Sequence, residues 1–256
     1  MPGTPPATYW TVTMTKFQAP EFLAIAHRGY SERYPENSRS AYEGAIAAGA
    51  AYIESDARLS ADGEVVSSHD PNFGRVSGNP LTISETHSRD LMALDIGDGQ
   101  PPMLLTDVLA LAAGRVNVLV DVKTDDLVLA GAVLDRVITA GALGSTVVGL
   151  RSAEQVRLAC ARDAGVQCLG FVPDCDDIAS FFDAGAIAVR VWEDDIEHPT
   201  AVRALKEGHR VWATAGRRSR GEAPGFITPE RLAYLQDMGF EAVLLNDPTL
   251  ITGASA

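Results

Sequence analysis

Two histidines, three carboxylates, an arginine and a lysine stand at the ends of short apolar runs. His27-Arg28 closes the run 22–27, Glu54 and Asp56 close the run 51–56, and Asp121 with Lys123 closes the run 116–122. The tetrapeptide Ser60-Ala61-Asp62-Gly63 then turns the chain, so that 64–69 returns alongside 54–59 and brings His69 opposite Glu54 and Asp56. Asp-Gly is a strong tight-turn dipeptide. In an extended strand, residues two apart share a face. Glu54 therefore points with Asp56, and Asp121 with Lys123. Three crowded carboxylates repel one another and raise one another's pKa. A divalent cation removes that penalty, and oxygen ligands suit Mg²⁺ or Ca²⁺. Such an ion polarises a phosphoryl oxygen and positions a nucleophile. Two imidazoles titrating near neutrality serve as acid and base across a scissile bond. Arg28 and Lys123 offer donors to phosphoryl oxygens. Each residue alone has a blander use, in a solvated strand end or a salt bridge. Their joint placement on adjacent strand ends carries the functional reading.

The elements that must hold these groups alternate along the chain. Apolar runs at 22–27, 51–56, 116–122, 146–150, 167–171, 186–191, 210–214 and 242–246 read as eight strands. Helical spacing fills about 38–49, 104–114, 126–141, 153–165, 175–184, 199–208 and 228–238. Thr106-Asp107, Ser152, Asp174 and Thr228-Pro229-Glu230 are candidate helix starts. Glycines follow most of the helices. Strands and helices in alternation predict an α/β fold, a (β/α)8 TIM barrel, whose chemistry clusters at the C-terminal ends of the strands. One stretch breaks the rhythm. Residues 57–103 form a small excursion between the second strand and its helix, with one weak helix at about 82–94. Residues 1–20 read as a flexible N-terminal lead-in, and 21–256 as one barrel domain. Met14 is an alternative start.

Composition narrows the classes. The chain has 256 residues and a formal net charge of −13. That excess of acid argues against nucleic acid as a partner, because such affinity rests on a basic face. An anionic substrate must be met by local cations or a metal against this field. No apolar run reaches the length of a membrane span, about 20 residues, and the N-terminus has no secretory pattern. Three cysteines, Cys160, Cys168 and Cys175, suit reduced thiols and a cytoplasmic location better than a disulfide framework. Nothing in the sequence fixes an oligomeric state.

The motif series resembles the glycerophosphodiester phosphodiesterase family. Its carriers are Ala26-His27-Arg28-Gly29, Pro35-Glu36-Asn37-Ser38, Glu54-Ser55-Asp56, Asp62-Gly63-Glu64-Val65-Val66 and His69-Asp70, in the family's order and spacing. Asp121-Val122-Lys123 is similar to its E-x-K motif. Val211-Trp212-Ala213-Thr214 and Asn246-Asp247-Pro248 are similar to its weaker late motifs. The resemblance implies a metal-dependent hydrolase of lipid and glycerol metabolism that cleaves a glycerophosphodiester to an alcohol and glycerol 3-phosphate. By motif position, His27 and His69 become the acid–base pair. Glu54, Asp56 and Asp121 become ligands of one divalent ion, and Arg28 and Lys123 contacts to phosphate. Asn37 becomes a support for the His27 loop or the metal.

The departures gather in the later strands. Asp121 replaces the usual Glu and shortens the reach by about 1.5 Å. Leu150-Arg151 stands where a Ser-Phe pair is common, and Ala215-Gly216-Arg217 where Asn usually follows the tryptophan motif. Arg190 and Trp192 share a face and have no counterpart. Arg151 or Arg190 is expected to add a second anionic contact, unless it pairs with Glu193, Asp194 or Asp195. Trp192 and Trp212 are candidates to line the mouth, with packing as the alternative. The acidic run 193–197 reads as a solvated face. Competing functions keep the same site for lysophospholipids (in the manner of a phospholipase D) or for sugar and polyol diesters. A non-catalytic phosphate-binding barrel would lack a histidine or a carboxylate, and none is missing. An isomerase or aldolase would lack the paired histidines, although barrels host many chemistries.

Overall fold

The computed structural model describes residues 22–254. The expected lead-in at 1–20 and the alternative start lie outside the described residues. Nine strands are present among the described residues: β1 Leu23–Ala26, β2 Tyr52–Leu59, β3 Val65–Ser67, β4 Asn117–Val122, β5 Thr146–Leu150, β6 Gln167–Phe171, β7 Ala188–Trp192, β8 Val211–Thr214 and β9 Ala242–Leu245. Eight of them pair in parallel in the order β1-β2-β4-β5-β6-β7-β8-β9, and β1 pairs again with β9 to close the cylinder. The fold is the expected (β/α)8 barrel. No helix among the described residues is long and apolar enough to cross a membrane.

Each strand is buried on both faces, which explains the near-continuous apolar runs. On β4 the outward set Val118, Val120 and Val122 packs beneath the helices, while Leu119 faces the barrel interior. Asp121 follows Leu119 on that inward face, one step nearer the C-terminal end. The same alternation places Tyr52, Glu54 and Asp56 inward on β2. Helices start where side chains satisfy free amides. Ser38 accepts from Ala41, Asp126 from Val128 and Ser152 from Gln155. The helix Leu105–Ala112 departs from expectation. Leu104 is its cap residue and makes no side-chain bond, so Thr106 and Asp107 fall inside the first turn. Gly185 ends Ile178–Ala184 in the left-handed region at φ 109°, a conformation that costs glycine little.

The excursion differs in detail from its prediction. β2 runs on to Leu59, and β3 returns antiparallel to it, with Ala57 opposite Ser67. The single helix expected at 82–94 is instead a 3-10 turn at Ile83–Glu85 and one helical turn at Ser88–Leu91. Asp62 in the β2–β3 turn accepts from the Ser88 amide and hydroxyl, fixing a new start there. Val66, Phe73, Ile83, Leu91 and Ile96 form a separate small core.

Trp212 requires a correction. It lies at the second position of β8, is fully buried, and plugs the barrel interior with Ile25, Leu119 and Leu169. Its indole donates to Glu241 Oε2 at 2.8 Å, its ring lies 5.5 Å from that of Tyr52, and Arg210 holds the same carboxylate. All three partners belong to the N-terminal ends of strands, so Trp212 packs the floor and does not line the mouth. Trp212→Ala should cost about 3–5 kcal/mol, the usual loss for a buried tryptophan, measured by urea denaturation. Turnover per folded molecule should stay close to that of the parent.

Candidate active site

At the C-terminal mouth, residues on or just beyond β1, β2, β4, β5, β6, β7, β8 and β9, with His69 two residues past β3, surround a cavity of about 160 Å³. His27, Arg28, Glu54, His69, Asp121 and Lys123 line it. A larger cavity of about 590 Å³, beside residues 22–24 and 47–49, presents no ionisable side chain among the described residues. Most of the sequence-predicted site residues line the smaller one.

The carboxylates meet as the sequence predicts. Glu54, Asp56 and Asp121 each offer an oxygen within 4.8 Å of the others, and all three are buried. Their surroundings differ. Burial and the adjacent Asp56 charge raise Glu54 well above the usual carboxylate range. Burial also disfavours the charge on Asp56, but Lys123 and Arg28 outweigh it and hold that group below its ordinary value. At Asp121 the same opposition is won by Lys123 and Arg151. Lys123 Nζ sits 2.6 Å from Asp56 Oδ1 as an ion contact and donates to Asp121 Oδ2 at 2.7 Å. Arg151 Nη2 donates to Asp121 Oδ1 at 2.6 Å. Despite its shorter side chain, Asp121 thus reaches the group, held by a residue that departs from the family pattern. Lys123 keeps its charge, because three neighbouring carboxylates outweigh its burial.

The His27 loop is shaped by backbone strain. Arg28 has φ 57° and Asn37 φ 55°, values unusual for residues other than glycine. The reward at Arg28 is direction: its amide donates to Glu54 Oε2 at 2.6 Å. The Asn37 amide holds the Arg28 carbonyl. Asn37 Nδ2 donates to Asp56 at 2.8 Å, while Asn37 Oδ1 accepts from the Asp56 amide and from Tyr42. Asn37 therefore orients a carboxylate and braces the loop at once. The Arg28 side chain bridges Glu36 and Asp56. Gly29 is obligatory here, because a Cβ would lie 2.6 Å from the Ala41 carbonyl carbon.

Both imidazoles are anchored through Nδ1. His27 Nδ1 lies 2.9 Å from Asn246 Oδ1, and the Asn246 amide nitrogen donates to the Pro224 carbonyl. That orientation makes the Asn246 oxygen an acceptor, so His27 Nδ1 carries the proton and Nε2 is free to accept one. His69 Nδ1 lies 2.8 Å from Asp70 Oδ1, and the same logic leaves its Nε2 free. Burial and then Arg28 lower the His27 pKa to about 4. Burial and then Lys123 lower that of His69.

Residues the sequence did not single out complete the frame. Arg58 clamps the His69 carbonyl. Arg75 ties Asp70 to Glu36, linking the His69 side of the mouth to the Arg28 side. Gly225 lies against the His27–Asn246 pair, where a Cβ would come within 2.0 Å of Asn246 Oδ1. No local pattern marks Gly225 or Arg58, since each acts on a residue far away or through a backbone atom. Glu193 is not part of a solvated face. It is buried and accepts from Gly216, Arg217 and Arg231, fastening the loops after β7 and β8.

Arg190 and Trp192 do line the mouth. Arg190 is 5% exposed, and its guanidinium lies 4.4 Å from the Phe171 ring and 4.6 Å from the Trp192 ring. It forms no ion pair with Glu193, Asp194 or Asp195. Arg151 pairs with Asp121 instead of those acids.

The family model described as the glycerophosphoryl diester phosphodiesterase family matches residues 27–169. A Mycobacterium tuberculosis protein named "Probable glycerophosphodiester phosphodiesterase 2" is 37% identical over 103 residues, 40% of this chain and 38% of that protein. The glycerophosphodiester phosphodiesterase of Caldanaerobacter subterraneus subsp. tengcongensis is 36% identical over 75 residues, 29% of this chain and 31% of that protein. The matched stretches thus span less than half of these relatives. The barrel is similar to the crystal structure of a glycerophosphodiester phosphodiesterase from Agrobacterium tumefaciens (TM-score 0.75, 20% identity, 90% of this chain and 99% of that one). It is also similar to one from Parabacteroides distasonis (TM-score 0.78, 18% identity, 92% and 97%).

The His27 anchor gives a direct test. Asn246→Ala removes the partner of Nδ1 and frees the ring to rotate, and Gly225→Ala displaces Asn246. Each should lower kcat by about 10- to 100-fold, the usual cost of losing an orienting partner, with a smaller effect on KM. Steady-state kinetics on both variants checks this.

Proposed function

We propose that this chain, which belongs to the glycerophosphoryl diester phosphodiesterase family, hydrolyses glycerophosphodiesters to an alcohol and glycerol 3-phosphate with the help of one divalent ion. The carrying observation is the pair of Nδ1-anchored histidines set around three carboxylates whose oxygens lie within 4.8 Å of one another.

The donor set fits such an ion. It is all oxygen, it is buried, and it leaves Glu54 with a raised pKa that a nearby cation would lower again. Oxygen donors favour Mg²⁺ or Ca²⁺ over softer metals. Glu54, Asp56 and Asp121 would hold it, and when bound it supplies charge to the phosphoryl group.

The chain's own groups do the rest. Lys123 and Arg28 face the phosphate with fixed positive charge, which matters in a chain of net charge −13. One histidine assists the nucleophile, and the other protonates the departing alkoxide at Nε2. That proton is needed because an alkoxide is a poor leaving group at neutral pH. His69 has the charged Asp70 as its Nδ1 partner, whereas His27 has the neutral amide oxygen of Asn246. The excursion turns most of its large apolar side chains into its own core, with Leu81 the exposed exception. That favours a water-soluble diester over a lysophospholipid.

His27→Ala and His69→Ala should each reduce turnover by about 10²- to 10⁴-fold. Release of glycerol 3-phosphate from glycerophosphodiesters should require added Mg²⁺ or Ca²⁺ and stop with chelator. Unchanged release after chelation would remove the metal from the reading, and losses below tenfold at both histidines would remove them from the chemistry.

A further inference from the structure

β7 stands fourth from β2 in either direction around the closed sheet, so it faces the carboxylates from directly across the barrel. Its inward residue Arg190 is 95% buried by the measure of its 5% exposure, yet Nε and Nη1 have no hydrogen-bond partner. It also has no ion-pair partner among the described residues, and it lines the cavity. A buried cation left in this state is costly. The surrounding residues hold it in place without neutralising it. Phe171 and Trp192 flank the guanidinium, and Phe171 in turn rests on Gly149, where any Cβ would strike its ring. Two more arginines crowd the same rings: Arg151 lies 5.4 Å from Phe171, and Arg218 lies 4.2 Å from Trp192. On the neighbouring strand, Thr214 Oγ1 is likewise buried, unpartnered and part of the cavity wall. Three unmet polar atoms thus converge on one wall, and the wall carries positive charge in an acidic chain.

A diester whose phosphate sits at the carboxylates and histidines must send one of its two alcohol substituents toward this wall. We propose that Arg190, with Thr214, forms a second anion subsite, and that the preferred substrates carry a carboxylate or phosphate on that substituent. The inference rests on the phosphodiesterase reading and names the substrate class within it. A planar guanidinium whose donors are unmet suits either anion. The aromatic flanks fix its plane, and burial strengthens the attraction once the anion arrives.

A matched pair of synthetic substrates tests this: the glycerol phosphodiesters of ethylene glycol and of glycolate, which differ only in CH₂OH against carboxylate. The metal-loaded enzyme should favour the glycolate diester by at least about tenfold in kcat/KM, the worth of one charge-assisted contact. Arg190→Met should bring the ratio near one, chiefly through KM, and Arg190→Lys should restore part of it. Arg190→Met should also raise Tm, because it removes an uncompensated buried charge. A ratio unchanged in Arg190→Met, with both diesters falling together, would overturn the subsite and place Arg190 at the scissile phosphate. If the enzyme cleaves neither diester, release of glycerol 3-phosphate from other glycerophosphodiesters judges the hydrolytic reading, and melting curves judge the subsite. A Tm rise with the glycolate diester that exceeds that with the ethylene glycol diester, and disappears in Arg190→Met, supports it. Equal rises overturn it.

Discussion

Glu54, Asp56 and Asp121 place three carboxyl groups in a buried space only a few ångströms wide, and charge repulsion there sets the terms for the rest of the mouth. Unopposed, burial would drive all three toward the neutral acid. The chain answers with Lys123 between Asp56 and Asp121, Arg151 on the far oxygen of Asp121, and the Arg28 amide aimed at Glu54. The strained backbone at Arg28 and Asn37 belongs to the same answer, since those conformations point an amide and an amide side chain at carboxylates. Strain of this kind costs on the order of 1–3 kcal/mol per residue and persists only where the surroundings enforce it. Here the Gly29–Ala41 contact and the Tyr42 hydroxyl enforce it.

The two ends of the barrel show how burial sorts polar groups. At the floor, Trp212 and Arg210 share the Glu241 carboxylate. At the mouth, Arg190 Nε and Nη1 and Thr214 Oγ1 have no hydrogen-bond partner. Natural interiors seldom leave buried polar atoms unpaired.

Much of this was legible in the sequence, because the barrel is written in local signals. Strand runs, helix caps and glycine stops recur at each unit, and period-two alternation places Glu54, Asp56 and Asp121 on inward faces without knowledge of the partners. The motif series from His27 to Asp70 lies almost wholly on β1, β2 and β3 and the turns between them, so sequence order approximates spatial order. The errors lie elsewhere. Trp212 has a strand-end appearance in sequence, but one position along a four-residue strand is the difference between mouth and floor. Glu193 was hidden within an acidic run, and its burial depends on Arg217 and Arg231, which arrive from later elements. The lone helix expected at 82–94 was broken by Asp62, a residue of an earlier turn. In each case the deciding contact is long-range, and composition or periodicity carries no trace of it.

The anchoring of His27 by Asn246 joins residues 219 positions apart. Strands β2 and β4, which carry the acidic cluster, can pair while the last strands are still being made, but the first histidine acquires its orientation only when β9 docks against β1 and carries Asn246 and the Gly225 loop into place. Contacts of such sequence separation form late, because chain entropy must be surrendered before they reward it. A ribosome-bound or truncated chain can therefore assemble its acidic cluster and still be chemically silent. On the proposed chemistry, hydrolysis waits for a molecule whose cylinder has closed, so turnover would report that the final strand is home.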